Sequence, residues 1–127
     1  MIKGQSYTTE GWLDDHTFQV ITIGAPNRRA KGFVRRRTQS KEAALLAAQK
    51  RMVELMLGAR VSGACGSDSG ESTGCAIVKE FEGNVKGGYI VKTTYDKDDN
   101  CEIVFRSHGS NLKKQAETAV KKFSEAR

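Results

Sequence analysis

The stretch TQSKEAALLAAQKRMVELMLGARV, Thr38–Val61, constrains the fold more than any other part of the chain. Ala44, Ala48, Met52, Leu55 and Met56 recur at spacings of three and four, which puts them on one face of a helix. Ser40 is placed to accept the free N–H groups of a first turn, and Glu42 adds negative charge where the helix dipole is positive. Gly58 supplies the left-handed position that ends a helix cheaply, and a strand is expected over Ala59–Gly63. The small residues on the inner face let such a helix lie close on a sheet.

The rest of the chain supplies that sheet. Thr17–Gly24, TFQVITIG, alternates and is β-branched, as strands are. Phe18, Val20 and Thr22 point one way and Gln19, Ile21 and Ile23 the other, so apolar groups on both faces indicate a central strand. Residues 1–16 are polar, with Trp12 and Leu13 as the anchors. Ala25–Arg37 carries Pro26, Gly32 and a run of arginines and reads as a long loop, with a short extended piece at Gly32–Val34. Gly66–Gly74 reads as a loop by composition, and Cys75–Phe81 fits either a strand or one helical turn. Gly83–Gly88 is punctuated by glycine and reads as a tight entry into a strand.

Gly88–Tyr95 and Cys101–Ser107 form the clearest hairpin, with Asp96–Asn100 as its turn. Alternation puts Tyr89, Val91, Thr93 and Tyr95 on one face and Ile90, Lys92 and Thr94 on the other; on the return strand, Ile103 and Phe105 oppose Val104 and Arg106. A final helix, capped by Ser110 or Asn111, carries an apolar stripe of Leu112, Ala116, Ala119, Val120 and Phe123. The fold class is α+β: a small, mainly antiparallel sheet with a long central helix and a C-terminal helix packed on it, in a single domain over 1–127.

Composition narrows the function. The chain has 127 residues and a net charge of +6. No apolar run approaches the roughly 18 residues of a membrane span. No export signal is legible in MIKGQSYTTEG, which has neither an apolar h-region nor a lipid-attachment cysteine. The positive charge is concentrated in Arg28, Arg29, Lys31, Arg35, Arg36, Arg37 and Lys41. Such a cluster fits a polyanion or partner surface, or a solvated segment whose arginines pair with local carboxylates. Cys65 and Cys75 flank CGSDSGESTGC and form a candidate disulfide, worth roughly 2–3 kcal/mol for a loop of this size. A Cys75–Cys101 pair and three buried thiols are the alternatives.

Catalytic and metal-binding patterns are missing from the sequence. There is no GxSxG, HExxH, P-loop or dinucleotide fingerprint, so no enzyme, cofactor or metal is expected. Asp14, Asp15 and His16 read as a turn or capping element. Asp96, Asp98, Asp99 and Asn100 resemble half of a calcium loop but lack the glutamate at its twelfth position.

Two families bear on the central helix. DHTFQV, the basic stretch and SKEAALLAAQKRMVELM resemble the third strand and last helix of a double-stranded-RNA-binding domain, which implies phosphate contacts from the basic segment 28–41. That likeness leaves about seventy residues after the helix without a role. A second likeness covers roughly Gly11 to Arg106. GWLDDHTFQVITIGAP, EAALLAAQKRMVELMLGARV and GNVKGGYIVKTTYDKDDNCEIVFR resemble, in order, segments of the LPP-twenty lipoproteins of bacterial envelopes, which include the flagellar basal-disc protein FlgP. The resemblance implies a non-enzymatic structural or assembly domain, periplasmic or associated with the outer membrane, linked to the flagellar motor or motility. Implied partners are envelope proteins or further copies of the chain, and anionic lipid or glycan; nucleic acid is less favoured, and membrane attachment would come through a lipid anchor absent from this stretch.

Overall fold

A computed structural model of the chain describes residues 8–58 and 73–125. Its elements are β1 (Gly11–Asp14), β2 (Thr17–Gly24), α1 (Phe33–Leu57), α2 (Thr73–Lys86), β3 (Tyr89–Tyr95), β4 (Cys101–His108) and α3 (Leu112–Glu125). The strands form one antiparallel sheet in the order β1-β2-β4-β3, so β2 and β4 are central. This is the α+β arrangement expected: the long helix packs directly on β2 and β4, and the C-terminal helix packs against α1 and α2 and adds Leu112 and Ala116 to the shared core. The expected strand at Ala59–Gly63 and most of the Gly66–Gly74 loop lie outside the described residues.

The core lies between the sheet and the helices. Phe18, Val20, Ile103 and Phe105 meet Ala44, Ala48 and Met52 from α1, and Val78, Phe81 and Val85 from α2, with Leu112 and Ala116 from α3. The sheet and α1 come closest at Gly24. A Cβ there would lie 2.1 Å from the Ser40 carbonyl oxygen and 2.4 Å from the Ala44 nitrogen, so only glycine fits. The Thr22 hydroxyl donates to the Ala44 carbonyl across the same contact (2.7 Å), keeping a buried polar group satisfied.

Leu55 departs from the expected inner face and is 46% exposed, while Val53 and Leu57 are buried. The buried row of α1 runs Ser40, Ala44, Ala48, Met52, Met56, and each step of four turns it about 40° around the axis. By the last two turns the covered side has rotated away from Leu55 and includes the side that faces the other helices.

α1 begins at Phe33, so the arginine-rich segment expected as loop, and the extended piece at Gly32–Val34, are helical from Phe33 on. Ser40 is then not a cap. It is fully buried two turns into the helix, and its hydroxyl donates back to the Arg37 carbonyl at 3.1 Å. Gly32 precedes the helix with φ 86° and gives no side-chain cap.

Two further readings change. β1 is a fourth strand in the stretch read as polar; Trp12 packs edge-on against Phe18, with ring centroids 4.8 Å apart. In β3 the register slips between Ile90 and Lys92. Tyr89 then pairs with Arg106 on the outer face, whereas Ile90, Thr93 and Tyr95 lie opposite the core residues Phe105, Ile103 and Cys101. A bulge of one residue reverses the facing of everything beyond it, which divides the expected Tyr89–Tyr95 face in two. The undecided segment at Cys75–Phe81 and the glycine-punctuated stretch up to Lys86 are helical: Cys75, Val78, Phe81 and Val85 are all buried, at helical spacing.

Candidate functional site

The basic cluster sits at one end of the sheet, where β2 finishes, β4 begins and the β3–β4 turn closes. Seven residues of α1 precede Ser40, the point where the helix touches the end of β2. At 1.5 Å per residue they carry the first turn roughly 10 Å past that contact. Arg28, Arg29, Lys31, Arg35, Arg36, Arg37 and Lys41 all belong to this tip, but the fold divides them into two groups.

Arg36 and Arg37 hold the tip together. Arg36 Nε donates to Asp99 Oδ2 at 3.0 Å and Arg37 Nε to Asp99 Oδ1 at 3.1 Å, so one carboxylate bridges two guanidinium groups. Arg36 also donates to the Asp98 carbonyl at 3.0 Å and to the Ala30 carbonyl at 3.5 Å. The Arg37 guanidinium lies 4.6 Å from the Tyr95 ring centroid and 5.6 Å from that of Phe33. Hydrogen bonds from Arg37 and Arg36 hold the Asp99 carboxyl below its ordinary 3.8.

The turn that presents Asp99 is itself specified locally. Asp96 Oδ1 accepts the N–H groups of Asp98 and Asn100, both at 2.9 Å, and Asp99 takes φ 65°. This geometry absorbs the acidic residues that resembled a calcium loop. Among the described residues, no group of three or more His, Cys, Asp or Glu is placed to hold a metal ion.

Arg28, Arg29, Lys31, Arg35 and Lys41 are exposed and make no ion pair among the described residues. The loop carrying the first three is nevertheless fixed. Asn27 N–H donates to Gln39 Oε1 at 2.9 Å, Arg29 N–H to Asn27 Oδ1 at 2.9 Å, and Ala30 is buried against the fold. Beside these cations, Phe33 is 62% and Val34 66% exposed.

The cysteines separate clearly. Cys75 is disulfide-bonded and buried at the start of α2; its expected partner, Cys65, lies outside the described residues. Cys101 is a free thiol with no exposure, which removes the Cys75–Cys101 alternative. Burial pushes the Cys101 thiol above its ordinary 9.0, so it is a poor nucleophile.

The opposite end of the sheet carries the other cluster of polar groups. His16 Nδ1 accepts the Asn111 N–H at 2.8 Å, and the Asp15 carbonyl accepts the Lys113 N–H at 3.0 Å. His16 N–H donates to Asp14 Oδ1 at 2.7 Å, which holds the Asp14 carboxyl below 3.8. The Asp14–His16 turn therefore caps α3, and among the described residues Ser110 and Asn111 take part through backbone groups, with no side-chain cap from either. An open groove of about 420 Å³ lies between α2 and α3, with Ile77, Phe81 and Ala119 as apolar lining and Glu80, Lys114 and Lys122 among its polar lining.

Sequence reasoning missed three parts of this arrangement: the helical start at Phe33, the exposed Phe33–Val34 pair, and the link to Asp99. A signal for the first was present, since arginine is a good helix former and the stretch Phe33–Thr38 contains no glycine or proline. No family model, curated protein or solved structure matches the chain.

Proposed function

We propose that the chain is a non-enzymatic structural or assembly domain of a bacterial envelope lipoprotein, working in the periplasm or at the outer membrane, with the flagellar motor as one such setting. The observation that carries this reading is the disulfide at Cys75. Structural disulfides persist in oxidising compartments and are rare in the cytosol, so an exported protein accounts for this bond. The ordered sequence likeness from Gly11 to Arg106 gives the finer assignment. β1 and β3 are the sheet edges, and β3 leaves Tyr89 48% exposed, so this edge is available to envelope partners or to further copies.

The nucleic-acid reading draws on the same basic segment and has less support. Arg36 and Arg37 are engaged by Asp99, and Arg37 is stacked on Tyr95, which takes both away from a phosphate backbone.

Fractionation of cells making the native gene product tests the proposal. After denaturation without reductant, maleimide-polyethylene glycol should label one thiol, Cys101, in protein recovered from the envelope, and three thiols after reduction. Recovery from the cytosol with all three thiols labelled without reduction would refute the envelope reading.

A further inference from the structure

We infer that the tip formed by residues 25–32 and the first turn of α1 is a peripheral docking surface for an anionic lipid membrane, with Phe33 and Val34 entering the interface and Arg28, Arg29, Lys31 and Arg35 against phosphate headgroups. Four observations lead there.

The first is apolar exposure. Phe33 and Val34 are neighbours in sequence, 62% and 66% exposed, and both stand outside the buried core. A single exposed apolar residue is ordinary, but two adjacent large ones at a projecting helix end form a small wedge. The second is charge. The four cations flank that wedge within eight residues, Arg28 to Arg35, and none has a carboxylate partner among the described residues. Asp99, the one carboxylate that forms ion pairs at this end among the described residues, is already shared by Arg36 and Arg37, and the Asp96 carboxylate is taken up by the N–H groups of its own turn.

The third is shape. α1 overhangs the end of β2, so its first turn can approach a flat surface before the sheet does. The fourth is rigidity. The Asp99 bridge, the Arg36 contacts with Ala30 and Asp98, and the Asn27–Gln39 bond hold the loop and helix start in one arrangement. A preformed surface loses little conformational entropy on docking.

Among polyanions, a membrane fits this combination best. An anionic bilayer offers phosphate charge above and acyl carbons a few ångström below, matching cations set beside an apolar wedge. A nucleic-acid duplex offers the phosphates but no apolar phase for two adjacent aliphatic and aromatic side chains. This contact is separate from any covalent lipid anchor. It goes beyond the envelope reading, and vesicle binding is measured independently of cell fractionation.

The test is co-sedimentation of the purified chain with vesicles of phosphatidylcholine alone and of phosphatidylcholine mixed with phosphatidylglycerol. The chain should pellet with the mixed vesicles, less so as salt is raised, and not with phosphatidylcholine alone. Arg28→Glu with Arg29→Glu should weaken partitioning roughly tenfold or more. Phe33→Ser should weaken it roughly three- to tenfold, and Val34→Ser in the same direction. Circular dichroism melts should be unchanged for all three variants, since these side chains are exposed. Failure of the parent chain to bind mixed vesicles at low salt would overturn the inference. So would vesicle binding that ignores Phe33→Ser and Val34→Ser while duplex RNA competes for it, because the tip would then be a general polyanion site.

Discussion

Two helices of this molecule begin at opposite ends of the same sheet, and they begin differently. The start of α3 is closed: its N–H groups find the His16 imidazole and the Asp15 carbonyl from the β1–β2 turn, and the Gly109 carbonyl just ahead of it. Leu112 in that first turn is 2% exposed. The start of α1 is open: Gly32 gives no side-chain cap, the first turn holds no acidic residue, and Phe33 and Val34 face solvent. Yet α1 is the longer helix and the centre of the core. Its order comes from Ser40 onward, where the sheet holds it, and from Asp99 on the side. One helix start is used to complete the fold; the other is held firmly and left uncovered, which is where a surface for a partner can be built.

Substitutions can break this contrast in decreasing order of effect. The largest should come from Gly24→Val, which forces side-chain atoms into the Ser40 and Ala44 backbone. Overpacking against backbone should destabilise the fold by about 3 kcal/mol or more, read from the midpoint of urea unfolding. Because this contact seats the overhanging part of α1, the tip should lose its order together with the core. His16→Ala comes next. It removes the acceptor of the Asn111 N–H and should cost about 1 kcal/mol, with faster amide exchange confined to the first turn of α3. The start of α1 should be unaffected, since nothing at that end depends on His16.

The smallest effect is acid sensitivity, and it is shared by both ends. Asp14 and Asp99 are each held below an ordinary value of 3.8, by the His16 N–H and by Arg37 and Arg36 respectively. A depressed carboxyl contributes stability that is fully present above its unfolded value and is lost as pH falls through its folded value. Melting temperature should therefore be level above pH 3.8 with respect to these two groups and decline below it. Asp14→Asn with Asp99→Asn should give a chain that melts a few degrees lower near neutrality and has a shallower acid decline. An unchanged decline would mean that other carboxylates carry it.

How much of this was legible in the residues depends on whether the cause was local. β2, the β3–β4 hairpin and α3 show their period in the side chains, and the structure has them within a residue or so of the reading. β1 was hidden because four residues with an irregular register show no alternation. The facing of β3 was lost to the bulge at Val91, a backbone event with no side-chain signature. α2 had a readable pattern in Cys75, Val78, Phe81 and Val85, obscured by the two glycines, Gly74 and Gly83, within it.

The tip is the most instructive miss. Ser40 is an excellent cap on local grounds, so the helix was expected to start near it. What carries the helix two turns further is Asp99, more than sixty residues away, binding Arg36 and Arg37. Of the seven basic residues read as one polyanion surface, that contact turns two into structural ties and leaves five exposed. Sequence alone gave the cluster but not this division, because it is made by tertiary pairing.

The contrast between the two helix starts is tested most directly by amide hydrogen exchange on the whole chain, with and without anionic vesicles. An open, functional α1 start and a closed, structural α3 start predict slowed exchange over residues 27–38 when vesicles are added, and no change over 108–116. Slowed exchange at 108–116 in place of 27–38, or no slowing at 27–38 at all, would contradict the account.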